Sequence, residues 1–136
     1  MSDSALDPAF QQRLERIPIF GLLPFEVASA AEGIAELALP YKKEYDGIFE
    51  SLHGGFLMTL ADTAACIAVL TKTGHDATIT TTDMNIRFLS ACRTKATARA
   101  KIVKFGRSLV PVHVDIFDEK GTLVAISQVT YMRLRG

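Results

Sequence analysis

The run HGGFLMTLADTAACIAVL, residues 53–70, is the feature that most limits what this chain can become. It is too long for an ordinary strand and too apolar for a helix that lies on a surface. Residues 54–70 approach the length that spans a bilayer. However, Asp62 stands near the centre, and Thr59, Thr63, two glycines and several alanines dilute the run. Such a composition points to a buried helix rather than a membrane span. His53-Gly54-Gly55 marks its start, and Gly74 follows its last residue, Thr73.

The flanking segments show what can bury it. Asp7-Pro8 opens a short N-terminal helix, with Phe10, Leu14 and Ile17 on one face and Pro18 closing it. Residues 23–30 and 34–41 read as a hairpin around Ala31-Glu32-Gly33, and residues 42–52 as a polar loop. After the helix the period changes to two. Strands are predicted at 78–89, 94–103, 110–117 and 123–134, with turns at Phe105-Gly106 and Asp118–Gly121. In the second of these, Ala96, Ala98, Ala100 and Ile102 alternate with Lys95, Thr97, Arg99 and Lys101. One long apolar helix inside an antiparallel series gives an α+β class: a sheet of six strands must wrap the helix. The whole of 1–136 reads as one domain, with residues 1–20 as a helical extension.

Fifteen basic residues balance fifteen acidic ones, so no charge footprint favours nucleic acid or an anionic membrane. Cys66 and Cys92 are too few for a disulfide framework or a zinc site, and no ligand types show metal spacing. The opening MSDSALDPAF lacks the basic and then apolar pattern of a signal peptide, so the expected setting is the cytoplasm.

Asp62 then needs a reason. A carboxylate in an apolar helix is costly unless it is paired, hydrogen-bonded or used. The helix start supplies a complementary feature, because unpaired N–H groups there favour an anionic atom and glycine lets it approach. An oxyanion hole for an acyl carbonyl needs such a place. Asp62 lies nine residues after His53, roughly 13 Å along the axis and about half a turn round. The two features of one chain therefore cannot serve one small reacting centre. Two antiparallel copies of the helix could, with two sites across the interface.

The stretch "HGGFLMTLAD", followed by "TTTDMNIRFLSA" and "KFGRSLVPVHVDIFDEKGTLVA", resembles the hotdog-fold acyl-CoA thioesterases, in particular the phenylacetate-degradation (PaaI-type) group. The likeness covers roughly residues 20–134. It implies a single hotdog domain, edge-strand pairing in a homodimer, and often a dimer of dimers. It implies hydrolysis of an acyl-CoA, aryl- or phenylacetyl-type or medium-chain, with no cofactor beyond the CoA carried by the substrate. In that reading Gly54 donates the backbone N–H that polarises the carbonyl. His53 shapes the loop, Asp62 of the partner attacks or activates water, and Thr81 orients the water or Asp62. Gly55 and the Gly106-Arg107-Ser108 turn contribute to substrate binding, the turn through CoA phosphates. Where the family carries Asn or Gln, six residues before the histidine, this chain has Gly47. Asp46, Glu50 and Ser51 are the nearby candidates to replace that side chain.

Structural readings stand beside these. Asp62 could cap a loop, Gly54-Gly55 could simply reverse the chain, and Thr81 lies in a threonine-rich strand. The 106–108 turn reads equally well as a solvated turn. Leu57, Leu60 and Phe88 could line an acyl pocket or fill the core, and His75 and His113 read as surface residues. Two other functions compete: a hotdog hydratase or dehydratase, and a non-catalytic acyl-CoA binder.

Overall fold

Helix formation begins at His53, whose imidazole Nδ1 accepts the Gly55 N–H at 2.9 Å and so caps an otherwise unpaired donor. The computed structural model describes residues 6–134. In it, helices α1 (Pro8–Glu15) and α2 (Pro18–Leu22) precede the hairpin β1 (Glu26–Ala31) and β2 (Ile34–Leu39). A 3-10 turn at Lys43–Tyr45 leads to the long helix α3 (Gly54–Thr73), which ends at Gly74 with φ 98°. Strands β3 (Thr78–Phe88), β4 (Ala96–Ile102), β5 (Leu109–Phe117) and β6 (Leu123–Leu134) follow. All six strands form one antiparallel sheet in the order β1-β2-β4-β5-β6-β3.

The sheet curls round α3. Nine helix residues are buried, among them Leu57, Leu60, Ile67, Val69 and Leu70. Each such large side chain contributes about 1.5–3 kcal/mol by leaving water. The helix packs chiefly on β2 and β4. Ala96, Ala98 and Ala100 of β4 are fully buried there, and their small side chains let helix and sheet approach closely. Val110, Val112, Val114 and Ile116 of β5 complete the floor. The single-domain hotdog architecture expected from the sequence, α+β with a six-stranded antiparallel sheet wrapped around one long helix, is the one observed.

Local chemistry explains the joints. Glu32 and Gly33 have φ of 52° and 83°, so a tight two-residue turn joins β1 to β2. The Gly33 N–H donates to Thr71 Oγ1 at 2.7 Å, which ties that turn to the end of α3. Pro18 does not merely end the first helix; it also takes the first position of α2, where a missing N–H costs nothing.

Two features depart from a simple reading. The pairing of β3 with β6 skips at Thr82, a β-bulge. Before it Ile79 and Thr81 are the more covered residues, and after it Met84 and Ile86. The bulge therefore switches the inward parity within one strand. In addition, α3 is not covered all round. Gly55, Thr59, Asp62, Thr63 and Cys66, spaced at helical periods, form a stripe that is only half-buried. Asp62 is thus half-open rather than buried in the core of its own chain.

Candidate active site

The Asp62 carboxylate is held by two hydroxyls. Thr81 Oγ1 donates to Asp62 Oδ1 at 2.8 Å, and Tyr131 OH lies 2.8 Å from the same oxygen. Thr81 and Tyr131 are directly opposed in the β3–β6 register. The bulge at Thr82 comes immediately after this pair and lets Thr81 face the helix while Met84 and Ile86 do so too. Tyr131 also lies 3.0 Å from the Asp62 main-chain oxygen. Sequence reasoning anticipated Thr81 beside Asp62 but missed Tyr131. The only sequence signal for Tyr131 is its inward parity in β6, shared with Val129, which ranks it as core.

Burial pushes the Tyr131 phenol well above its usual range, and the Asp62 carboxylate adds to this. It therefore remains a protonated donor. Cys66 lies on the same stripe. Burial pushes its thiol up to about 11, opposed by a hydrogen bond with Tyr131 and reinforced by Asp62. At neutral pH it is a thiol, and a poor nucleophile.

The start of α3 forms a second locus. His53 is exposed and caps the helix through Nδ1, so its neutral ring carries the proton on Nε2. Gly55 spends its N–H on that bond, and the Phe56 N–H goes to the His53 carbonyl at 2.9 Å. Among the described residues, none accepts from the Gly54 N–H. Gly54 lines an open cleft of about 520 Å³ with Ser51, Leu52, Leu57, Phe88, Leu89, Ser90, Ala91 and Cys92. A Cβ on Gly54 would stand 2.9 Å from the Phe88 ring, so glycine here keeps the aromatic wall close. Of the proposed pocket residues, Leu57 and Phe88 reach this cleft; Leu60 is fully buried core.

Gly54 and Asp62 are eight residues apart, about 12 Å along the helix. Gly54 looks towards Phe88 at one end of β3, and Asp62 towards Thr81 nearer the other. Both face the same strand, so axial distance rather than a half-turn separates them. One chain still cannot bring them to one carbonyl.

Gly47 sits beside His53, with room for a side chain: an added Cβ would be 3.5 Å from His53 Cα and Cδ2. Of its candidate replacements, Asp46 is turned away, with Oδ2 accepting from Tyr41 OH at 2.7 Å. Glu50 is exposed, at φ 56°. Ser51 alone of the three lines the Gly54 cleft.

The Gly106-Arg107-Ser108 turn lies elsewhere in the chain. The Lys72 ammonium and the Arg133 guanidinium lie 5.7 Å and 4.5 Å from the centre of the Phe105 ring, which sets the turn at the C-terminal end of α3. Lys72 is about 27 Å along the helix from Gly54. Arg133 anchors the turn, donating from Nη1 to the Gly106 carbonyl at 3.2 Å and from its backbone N–H to the Ser108 carbonyl at 2.7 Å. Arg107 and Ser108 are exposed. His113 is exposed and pairs with Asp115 at 2.8 Å, whereas His75 is half-buried and stacks on Phe10.

A model of the family described as "Thioesterase superfamily" matches residues 49–125, more than half of the chain. This chain belongs to the thioesterase superfamily. A Halobacterium salinarum protein provisionally named an esterase is 30% identical over 129 residues, 85% of each chain. Among solved structures, a thioesterase of Haemophilus influenzae superposes with a TM-score of 0.84 at 26% identity, covering 96% of this chain and 91% of that one. A variant of the phenylacetic acid degradation protein PaaI from Thermus thermophilus gives 0.78 at 28% identity, covering 86% and 99%. In this thioesterase-superfamily chain, the matched span carries His53, Gly54, Asp62 and Thr81, while Tyr131 lies beyond it.

The turn at Gly106 yields a stability prediction. A Cβ there would overlap the Leu109 carbonyl oxygen. Gly106→Ala should therefore cost about 1–3 kcal/mol, whereas exposed Arg107→Ala should stay within about 0.5 kcal/mol. Urea denaturation midpoints compare them, and equal midpoints would contradict the packing of this turn.

Proposed function

We propose that the chain hydrolyses an acyl-CoA thioester to the free acid and CoA, as a homodimer whose two sites each use both subunits. The observation that carries this reading is a carboxylate held by two hydroxyls on the uncovered stripe of α3, with an unspent N–H at the start of the same helix. Antiparallel packing of two such stripes would carry the partner subunit's Asp62 towards Gly54.

The Gly54 N–H would then receive the carbonyl oxygen, where the helix dipole favours the charge that develops. Asp62 would attack the carbonyl carbon, or take a proton from the water that does. Collapse of the tetrahedral intermediate would expel the CoA thiolate, a good leaving group that needs no strong general acid. In the direct-attack route, water would hydrolyse the mixed anhydride formed on Asp62. His53 would hold the loop rather than act as a base, since its Nδ1 is committed to Gly55.

Support for the dimer comes from β3, an eleven-residue strand at the sheet edge that, among the described residues, pairs with β6 alone. A long free edge beside an uncovered helix stripe suits a second copy. The same packing would bring the partner's Arg107 turn towards the Gly54 end, where a guanidinium and turn amides could hold CoA phosphates. The cleft walls formed by Leu57, Phe88 and Leu89 suit an apolar acyl group, aromatic or medium-chain.

Release of free thiol from a panel of acyl-CoAs tests the activity. Asp62→Asn should keep the fold and lower kcat by about 10²-fold or more. Near-normal turnover in the folded variant would sink the mechanism. The shared site has a separate test. Mixing Asp62→Asn chains with chains in which Gly54→Pro removes the N–H should restore activity, because one site of each mixed dimer is intact. Mixed dimers that form and stay inactive would rule out sites shared between chains. At the loop, Gly47→Asn should raise turnover about tenfold or change acyl preference if an amide there binds the transition state. If Ser51 does this work instead, Ser51→Ala should lower kcat and Gly47→Asn should not raise it. No change in either variant would leave the loop side chains outside the chemistry.

A further inference from the structure

We propose that Tyr131 is a positioning residue for Asp62: with Thr81 it holds Oδ1, so that Oδ2 is the oxygen left to act. The inference rests on the thioesterase reading of Asp62 given above and adds a residue outside the matched family span.

The geometry is specific. Two hydroxyls from opposed residues on β3 and β6 converge on one carboxylate oxygen, each at 2.8 Å. Among the described residues, none donates to Oδ2. Rotation of the carboxylate would break both bonds, so the pair sets its plane and decides which oxygen is free. Hydrogen bonds to an ionised group are stronger than neutral ones. The phenol is 5% exposed and sits on a strand paired on both sides, so it is a rigid donor.

Tyr131 also has a second acceptor. Its single hydrogen can go to Oδ1 or to the Asp62 main-chain oxygen at 3.0 Å. When Asp62 loses its charge, by protonation or acylation, the hydroxyl can move to the helix carbonyl and is never left unpaired. A buried hydroxyl stranded without an acceptor would raise the energy of that state. The arrangement therefore serves both the charged and the neutral form of Asp62.

A merely structural Tyr131 would fill space beneath α3, and loss of its oxygen would alter only stability. Positioning predicts something different. Tyr131→Phe should lower kcat about tenfold or more with KM unchanged. In an Asp62→Asn background the same change should have no further effect on the residual rate. A wild-type kcat in Tyr131→Phe, or an undiminished effect in the Asp62→Asn background, overturns the proposal.

A second measurement does not depend on turnover. In Thr81→Val, Tyr131 is the remaining hydroxyl on Oδ1, so in an equal mixture of H2O and D2O the Asp62 carboxyl ¹³C resonance should show an isotope shift that splits it in two, one line for each isotope on that buried hydroxyl, whereas water at Oδ2 exchanges too fast to split it. Absence of that shift also overturns the proposal, even if Tyr131→Phe fails to fold. An unmodified protein that hydrolyses no acyl-CoA would overturn the thioester reading by itself; the isotope shift would then decide the Tyr131–Asp62 contact separately.

Discussion

The need to bury α3 governs this molecule. A helix of twenty residues with Leu, Ile, Val and Ala on most of its surface cannot face water. A six-stranded sheet of one chain can wrap most of that surface, and the alanines of β4 bring the two close. It does not wrap all of it. The stripe left half-open carries Gly55, Thr59, Thr63 and Cys66 with Asp62 among them, small or polar groups that tolerate partial exposure. Asp62 is accessible because the sheet stops short of covering it.

That arrangement separates two chemical functions along one rigid rod. The helix start offers an N–H beside an apolar cleft; the middle offers a carboxylate restrained by Thr81 and Tyr131. Because both belong to α3, no side-chain motion within the chain can close the distance of about 12 Å. The proposed reaction therefore depends on assembly. The uncovered stripe and the free edge of β3 would be the surfaces that both complete the fold's burial and complete the site.

The bulge at Thr82 links the fold to the site. A regular strand with Thr81 inward would also turn Asp83 and Asn85 towards the helix. With one extra residue, Met84 and Ile86 face inward instead, and Asp83 and Asn85 are exposed. The carboxylate thus receives its hydroxyl partner while the rest of β3 still contributes apolar contacts.

The bounds of α3 were legible in the sequence because its signals are local: a histidine cap, two glycines, an unbroken apolar run and a terminal glycine. The alternation of β4 was legible for the same reason, since a strand's two faces are written into neighbouring residues. Gly54 and Asp62 could be singled out because an N–H-rich helix start and an isolated carboxylate are costly to bury. Tyr131 could not, since in β6 it has the parity of an ordinary core residue. Its meaning depends on the β3–β6 register and on where α3 lies across it. The placement of the Gly106–Ser108 turn at the far end of α3, the inward switch in β3 and the half-open state of Asp62 are likewise products of packing. Sequence determined the elements and their reactive groups through local hydrogen bonding and hydrophobic period; tertiary structure alone decided which groups meet, because pairing register and helix orientation join residues far apart in the chain.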